Sequence, residues 1–225
     1  MSRFVIKFSK DGYIKYISHL DLLRVFKRTF KVCDIKLKYS QGYNPHPKMG
    51  FAQPLSLGYS SSCEYLEIDT DDDKKPKEIL FLLKNSLPDG IEISEVFPLK
   101  NEIKSLAAVT TACTYRISMG IKTDEKTAEN KVASYLAQKE IFAEKRMKKT
   151  KKFEPVEIRQ MIQELSVEFN DGELILNCKL DSGSTTNLSP ELLIKSFIEF
   201  SGFNVQRHEI EVERTGILFS DCIRI

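Results

Sequence analysis

The sequence predicts a mixed α+β protein built from two tandem ferredoxin-like units. Each is a β-α-β-β-α-β run folded into an antiparallel sheet with helices on one face. Three observations in the 225-residue chain predict it. Short stretches alternate apolar and polar residues with the two-residue period of a strand. Longer stretches place apolar residues three and four apart, the period of a helix packed on one side. The two kinds follow one another in the same order twice, separated by Gly, Pro, Asn and Asp turn signals. The first unit is expected over residues 1–104, with a long loop between its second and third strands. The second, more elaborate in its middle, is expected over residues 105–225.

In the first unit Arg3–Phe8 (RFVIKF) alternates and predicts a strand, closed by a Lys10-Asp11-Gly12 turn. Ser18 followed by Asp21 has the S-x-x-D spacing of a helix start. Leu20, Leu23, Val25, Phe26 and Phe30 supply the apolar stripe behind it. Ile35–Ser40 alternates and predicts the second strand, and Cys63–Asp69 (CEYLEID) predicts the third. Pro76–Leu87 predicts a helix with Ile79, Leu80, Leu83 and Leu87 as its buried side, broken by Pro88-Asp89-Gly90. Ile91–Phe97 is the fourth strand, and Lys100–Thr110 a linker or irregular strand entry. In the second unit Cys113–Ile121 predicts a strand, Glu125–Lys139 a helix and Ile141–Arg146 a strand. Pro155–Gln163 reads as a short helix. Leu165–Phe169 and Glu173–Leu180 flank Asn170-Asp171-Gly172, a hairpin signal. Ser189-Pro190 opens a helix that Gly202 stops. Val205–Glu213 is the last strand, with a short extension at Gly216–Phe219.

Composition excludes several classes. Apolar runs such as LFLL at 80–83 are far shorter than the ~20 residues a membrane helix needs. The opening MSRFVIKFSKDG lacks the apolar core and cleavage site of a secretory signal, so a cytoplasmic protein without membrane partners is expected. Five cysteines, Cys33, Cys63, Cys113, Cys178 and Cys222, stand far apart. No C-x-x-C and no C-x-x-x-C-x-x-C occurs, so they read as reduced and mostly buried, and neither a metal nor a cofactor is expected. There is no Walker loop, no G-x-G-x-x-G after a strand and no nucleophile elbow. Asp71-Asp72-Asp73 invites a metal reading. Before Lys74-Lys75-Pro76 it is read instead as a helix-entry turn with carboxylates near the helix N-terminus.

The formal net charge is +2, but it is unevenly spread. Residues 1–50 hold eleven Lys and Arg against three Asp and Glu, whereas residues 61–104 hold six against eleven. Lys145–Lys152 (KRMKKTKK) carries six cations in eight residues. Two basic blocks on a near-neutral chain suit a polyanion, nucleic acid above all, although any one such run is more often a solvated face.

The segment from Ile17 to Leu57 concentrates the chemistry. Arg24, Arg28 and Lys31 fall at helical spacing with Lys27 beside them, which fits a phosphate backbone. His19 sits in the first helical turn, where the positive end of the helix dipole favours neutral imidazole. The loop YSQGYNPHPKMGFAQPLSLG follows at 39–58. Tyr39, Tyr43 and Phe51 offer flat faces for bases, Gln41, Asn44 and Lys48 offer donors, and Pro45 and Pro47 stiffen the backbone around His46. Lys148 and Lys149 join the candidate binding residues from the second basic block.

These residues also carry a resemblance. ISHLDLLRVFKRTF at 17–30, the loop at 39–58 and CEYLEID at 63–69 resemble the bacterial radical-SAM-associated, or radical-SAM-linked, protein family. Weaker similarity continues at Val156-Glu157-Ile158-Arg159, at the Gly183–Pro190 turn and at Arg214-Thr215-Gly216. In that family the domain stands alone or follows a radical-SAM enzyme. The resemblance implies a freestanding form here, since the chain lacks the cluster motif, and a radical-SAM enzyme as partner. By architecture alone, tandem ferredoxin-like units with basic loops also resemble RNA-handling folds, including CRISPR repeat-processing endonucleases and some pseudouridine synthases. The expected function is therefore a non-catalytic, RNA-binding or substrate-presenting accessory protein in RNA modification. One alternative is a metal-independent RNA endonuclease, with His46 or His19 as base, Lys48 stabilising the phosphorane and Tyr43 positioning the nucleotide. A second is a protein–protein adaptor. A pseudouridine synthase would need an Asp nucleophile in a strongly marked loop, and neither Asp21 nor Asp34 has that setting.

Overall fold

The computed structural model describes residues 2–100, 104–121, 123–147, 150–170 and 173–220. The architecture is mixed α+β, in two compact units. One holds the chain up to Thr111 together with the residues from Arg214 on, and the other holds Ala112–Glu213.

In the first unit the order is β1 (Ser2–Lys10), a 3₁₀ turn (Gly12–Tyr16), α1 (His19–Val32), β2 (Met49–Phe51), β3 (Ser60–Thr70), α2 (Pro76–Lys84) and β4 (Ile91–Pro98). A short α3 (Leu106–Val109) follows. Hydrogen bonding sets β4 beside β1, β1 beside β3 and β2 on β3, and these three pairings are antiparallel. Register puts Phe4 opposite Ile68, Ile6 opposite Leu66 and Phe8 opposite Glu64. Side chains two apart share a face, so Phe4, Ile6 and Phe8 line one side of the sheet. There they meet Leu22, Phe26 and Phe30 of α1 and Ile79 and Leu83 of α2. Phe26 is fully buried, with its ring 5.0 Å from that of Phe8. Gly90 closes the turn into β4 at φ +89°, with its carbonyl accepting from the Asp11 amide. A β-carbon there would lie 2.5 Å from the Asp11 carbonyl oxygen, so only glycine fits.

The second unit contains β5 (Thr110–Gly120, of which the first two residues belong to the first unit), α4 (Glu125–Leu136), β6 (Phe142–Arg146) and β7 (Phe153–Glu157). A 3₁₀ turn (Arg159–Met161) leads to β8 (Ile162–Asn170) and β9 (Glu173–Asp181). Then come α5 (Pro190–Ser201) and β10 (Ile210–Phe219), whose residues up to Glu213 belong here. β9 pairs antiparallel with both β5 and β8, while among the described residues β6 and β7 pair only with each other. Tyr135 of α4 is buried edge-on to Phe197 of α5, and its hydroxyl shares a hydrogen bond with Ser196.

Several expectations are corrected. Ile35–Ser40 is not a strand. It makes only isolated bridges, Leu37 to Thr70 and Tyr39 to Pro47, because the chain turns away for the loop before a ladder can extend. Pro155–Gln163 is not a helix. Its first residues end β7, and only Arg159–Met161 turn before β8 begins. The apolar stripe of α1 runs through Leu22, Phe26 and Phe30, with Leu20 62% exposed instead of buried. The last strand begins at Ile210, later than expected, after a 3₁₀ turn at Arg207–Glu209. Asp171 and Gly172 of the hairpin signal lie outside the described residues, but β8 and β9 pair up to Asn170 and Glu173. Cys33, Cys113 and Cys178 are buried, Cys63 is half-buried and none of these four forms a disulfide, with burial pushing the Cys178 thiol up to about 12. Cys222 lies outside the described residues. Among the described residues no helix is long and apolar enough to cross a membrane.

Candidate functional site

The site begins with the cap of α1. Ser18 is extended at the N-cap and its hydroxyl accepts from the Asp21 amide at 3.1 Å. Asp21 in turn accepts from the Ser18 hydroxyl and from Arg24, both at 2.6 Å. These bonds, the Ser18 one foremost, hold the Asp21 carboxyl below its usual range. The cap fixes the rotation of the helix. With Leu22, Phe26 and Phe30 turned to the core, Arg24, Lys27, Arg28 and Lys31 are turned outward.

The helix ends in a reversal. Asp34 takes a left-handed conformation at φ +50°, and the Ile35 amide donates back to the Phe30 carbonyl at 2.8 Å. Asp34 is held there from outside, since its carbonyl accepts from Lys74 Nζ at 2.8 Å. The chain then runs along the end of β3, with Lys38 donating to the Asp69 carbonyl and Asp69 to the Lys48 carbonyl. This places residues 34–39 beside the outer side of α1, and the two enclose an open hollow of about 670 Å³. Phe30, Ile35 and Leu37 contribute its apolar lining. Arg24, Lys27, Arg28, Lys31 and Lys36 supply five cations, Asp34 the single carboxylate and Tyr39 an aromatic ring. Arg24 is partnered by Asp21. Among the described residues Lys27, Arg28, Lys31 and Lys36 make no ion pair. Charges left unneutralised around one concavity focus an anion-attracting field there.

The structure thus brings Arg24, Lys27, Arg28, Lys31 and Tyr39 together, but not the rest of the predicted set. Beyond Tyr39 the loop is an ordered excursion clamped at its base, where the Ser40 amide donates to the His46 carbonyl and the His46 amide to Ser40 Oγ. Gln41, Tyr43, Asn44 and His46 are exposed on it, and none lines the hollow. Lys48 stands near Asp69, at 4.0 Å. Phe51 is packed into the core and does not offer the open stacking face expected of it, and His19 packs edge-on against it, 5.1 Å between ring centres. Burial first, and the charge of Lys10 second, hold its imidazole below the ordinary 6.5. The neutral ring expected at the helix start is therefore favoured chiefly by burial. Lys148 and Lys149 lie outside the described residues. Asp72 is turned inward upon its own segment, accepting from the Lys36 and Lys74 amides and from Lys74 Nζ. Among the described residues no group of three or more His, Cys, Asp or Glu is placed to hold a metal ion.

Sequence reasoning missed two features. Lys36 joins the hollow, although in an alternating reading it was only one outward residue of a strand. The second feature is a buried charge cluster. Lys10, Glu64 and Arg214 are each 3% exposed or less. Arg214 donates to both Glu64 carboxylate oxygens, at 3.0 and 3.1 Å, and to the Gln53 and Pro54 carbonyls. Ser61 Oγ donates to the Arg214 carbonyl. Burial raises the Glu64 carboxyl, opposed by Arg214, Ser61 and Lys10, while burial lowers Lys10. The available signal was Glu64 itself, an acid on the same sheet face as Leu66 and Ile68.

The fold has counterparts. One solved structure similar to this chain is described as the crystal structure of a Cbf5-Nop10-Gar1 complex. It has a TM-score of 0.55 and 12% identity, covering 97% of this chain and 50% of that one. The chain therefore spans about half the length of that counterpart, and at this identity the likeness is of fold alone. An unknown protein from Galdieria sulphuraria aligns at 15% identity over 95% of this chain and 98% of its own, with a TM-score of 0.28. No curated protein matches the chain. A family model described as "Uncharacterized protein conserved in bacteria (DUF2344)" matches residues 3–190, most of the length, and the chain belongs to that bacterial family.

Proposed function

We propose that this protein binds RNA through the hollow between α1 and residues 34–39, and presents it to a radical-SAM enzyme that modifies it. The observation that carries the RNA reading is the convergence of Arg24, Lys27, Arg28, Lys31 and Lys36 with Tyr39 around one concavity. Cations in a row along a helix meet successive phosphates, and an exposed tyrosine beside them offers a stacking face. Its volume, about 670 Å³, suits a ligand of nucleotide size. The partner enzyme is supported by sequence resemblance at residues 17–69, and the chain itself carries no cluster motif. Both units are read as ferredoxin-like. In this reading β1-α1-β2-β3-α2-β4 forms the first and β5-α4-β8-β9-α5-β10 the second, with β6 and β7 inserted. Neither His46 nor His19, the two candidate bases, lines the cationic hollow, which favours binding there over cleavage.

Fluorescence anisotropy with labelled tRNA or rRNA fragments tests this. Binding is expected to weaken steeply with salt, and each cation removed should flatten the log–log slope by about 0.7 on single strands. Arg28→Glu and Lys31→Glu should weaken binding for all sequences alike. Absence of binding at low salt, or binding indifferent to salt, would falsify the RNA reading. Pull-down of a radical-SAM enzyme, with and without nuclease, separates presentation of RNA from direct adaptor contact.

A further inference from the structure

The second unit carries a feature that the hollow on α1 does not use. β6 and β7 form a hairpin that, among the described residues, pairs with no other strand. Arg146 lies opposite Phe153, and Phe142 opposite Glu157. Side chains alternate along each strand, so Phe142, Arg146 and Phe153 share one face of the ribbon. Phe142 is 55% exposed and Phe153 61%. Two large apolar rings held in water on one short ribbon call for a partner.

Charge says which partner. Lys195 of α5 holds its Nζ over the Phe153 ring, 5.8 Å from the centroid, and also bonds Glu144 on β6. With a cation at one face and the side chain mostly exposed, the rest of the ring faces solvent. Lys195 also lines a hollow of about 530 Å³, whose walls include Lys145, Arg146 and Arg207 and the carboxylates Glu191, paired with Arg207, and Glu199, paired with Lys195, above Leu192 and Ile198. Lys195 is engaged by carboxylates, but Lys145 and Arg146 make no ion pair among the described residues. Residues 142–157 hold six cations and three carboxylates. An acidic peptide would satisfy the charge without needing an open ring face. A nucleotide of a flexible strand uses both: its base stacks and its phosphate meets the guanidinium.

We propose that the β6–β7 hairpin is a stacking site for an unpaired base of single-stranded RNA, with Phe153 as the platform and Arg146 on the adjoining phosphate. The proposal rests on the RNA reading given above, but uses residues of the other unit.

The chain contains no tryptophan, so Phe153→Trp installs a single reporter. The full chain is titrated with a short labelled oligouridine and with a duplex of equal length, and circular dichroism checks that each variant is folded. Phe153→Ala should weaken oligouridine binding roughly tenfold and duplex binding much less. Phe153→Trp should keep the affinity, and its emission should be quenched by oligouridine. If Phe153→Ala leaves oligouridine binding unchanged while Arg28→Glu weakens it, the hairpin site is wrong and the RNA reading stands. Equal loss on single strand and duplex overturns stacking. If an acidic peptide quenches the tryptophan and oligouridine does not, the occupant is a protein segment. If the wild-type chain binds no RNA at low salt, both proposals fall.

Discussion

Glu64 and Arg214 decide more about the first unit than their number suggests. A buried guanidinium and a buried carboxylate each lose a large hydration energy, which their mutual contact offsets only while both are present. Glu64→Ala is therefore expected to cost about 3–5 kcal/mol in urea unfolding, because it leaves Arg214 and Lys10 buried without that carboxylate. A loss under about 1 kcal/mol would mean that solvent reaches the cluster. His19 makes a pH-dependent prediction. Its folded value lies below the ordinary 6.5, so in the window beneath 6.5 the unfolded chain takes up a proton that the folded chain refuses. Stability should then fall as pH drops through that window, and His19→Gln should remove that part of the slope. Thermal melts of both proteins between about pH 7.5 and about pH 5.5 check it.

Element-scale predictions concern how α1 and β4 are started. Ser18→Ala removes the acceptor for the Asp21 amide, and a lost N-cap of this kind costs about 1 kcal/mol. Since the cap also sets the rotation that turns Arg24 and Arg28 outward, RNA affinity should fall along with stability. A variant with unchanged melting but lost RNA binding would assign Ser18 a direct contact instead. Gly90→Ala should destabilise by more, because the added carbon meets a backbone oxygen that cannot move aside. The α1 cap and the glycine turn were legible in the sequence, since they depend on residues a few positions apart. The identity of the buried stripe was not. Leu20 and Leu22 differ by two positions and have equal hydrophobicity, so composition alone could not say which faced the sheet.

For the whole molecule the relevant quantity is where charge gathers, because net charge is nearly balanced. The excess of cations in residues 1–50 was visible at once, and it predicts the salt dependence set out above. Whether those cations met was not visible. Arg24 to Lys31 converge with Lys36 and Tyr39 only because Asp34 reverses the chain in a left-handed turn and the end of β3 captures the returning segment. His46, its neighbour in the same loop, leaves that hollow because the Ser40–His46 clamp closes the excursion beyond Tyr39.

By itself, then, the sequence determined the periodicities of most elements, the cap of α1, the burial of most of the described cysteines and the basic character of the segment from Ile17 to Leu57. These follow from local spacing and composition, where near neighbours in the chain are near neighbours in space. Only the tertiary structure decided that Tyr39 joins the helix cations while Tyr43 and His46 do not. It alone brought Arg214 to Glu64 across 150 residues and set Lys195 over Phe153. Those contacts depend on strand register and helix rotation, which a one-residue shift would reverse and which composition does not encode.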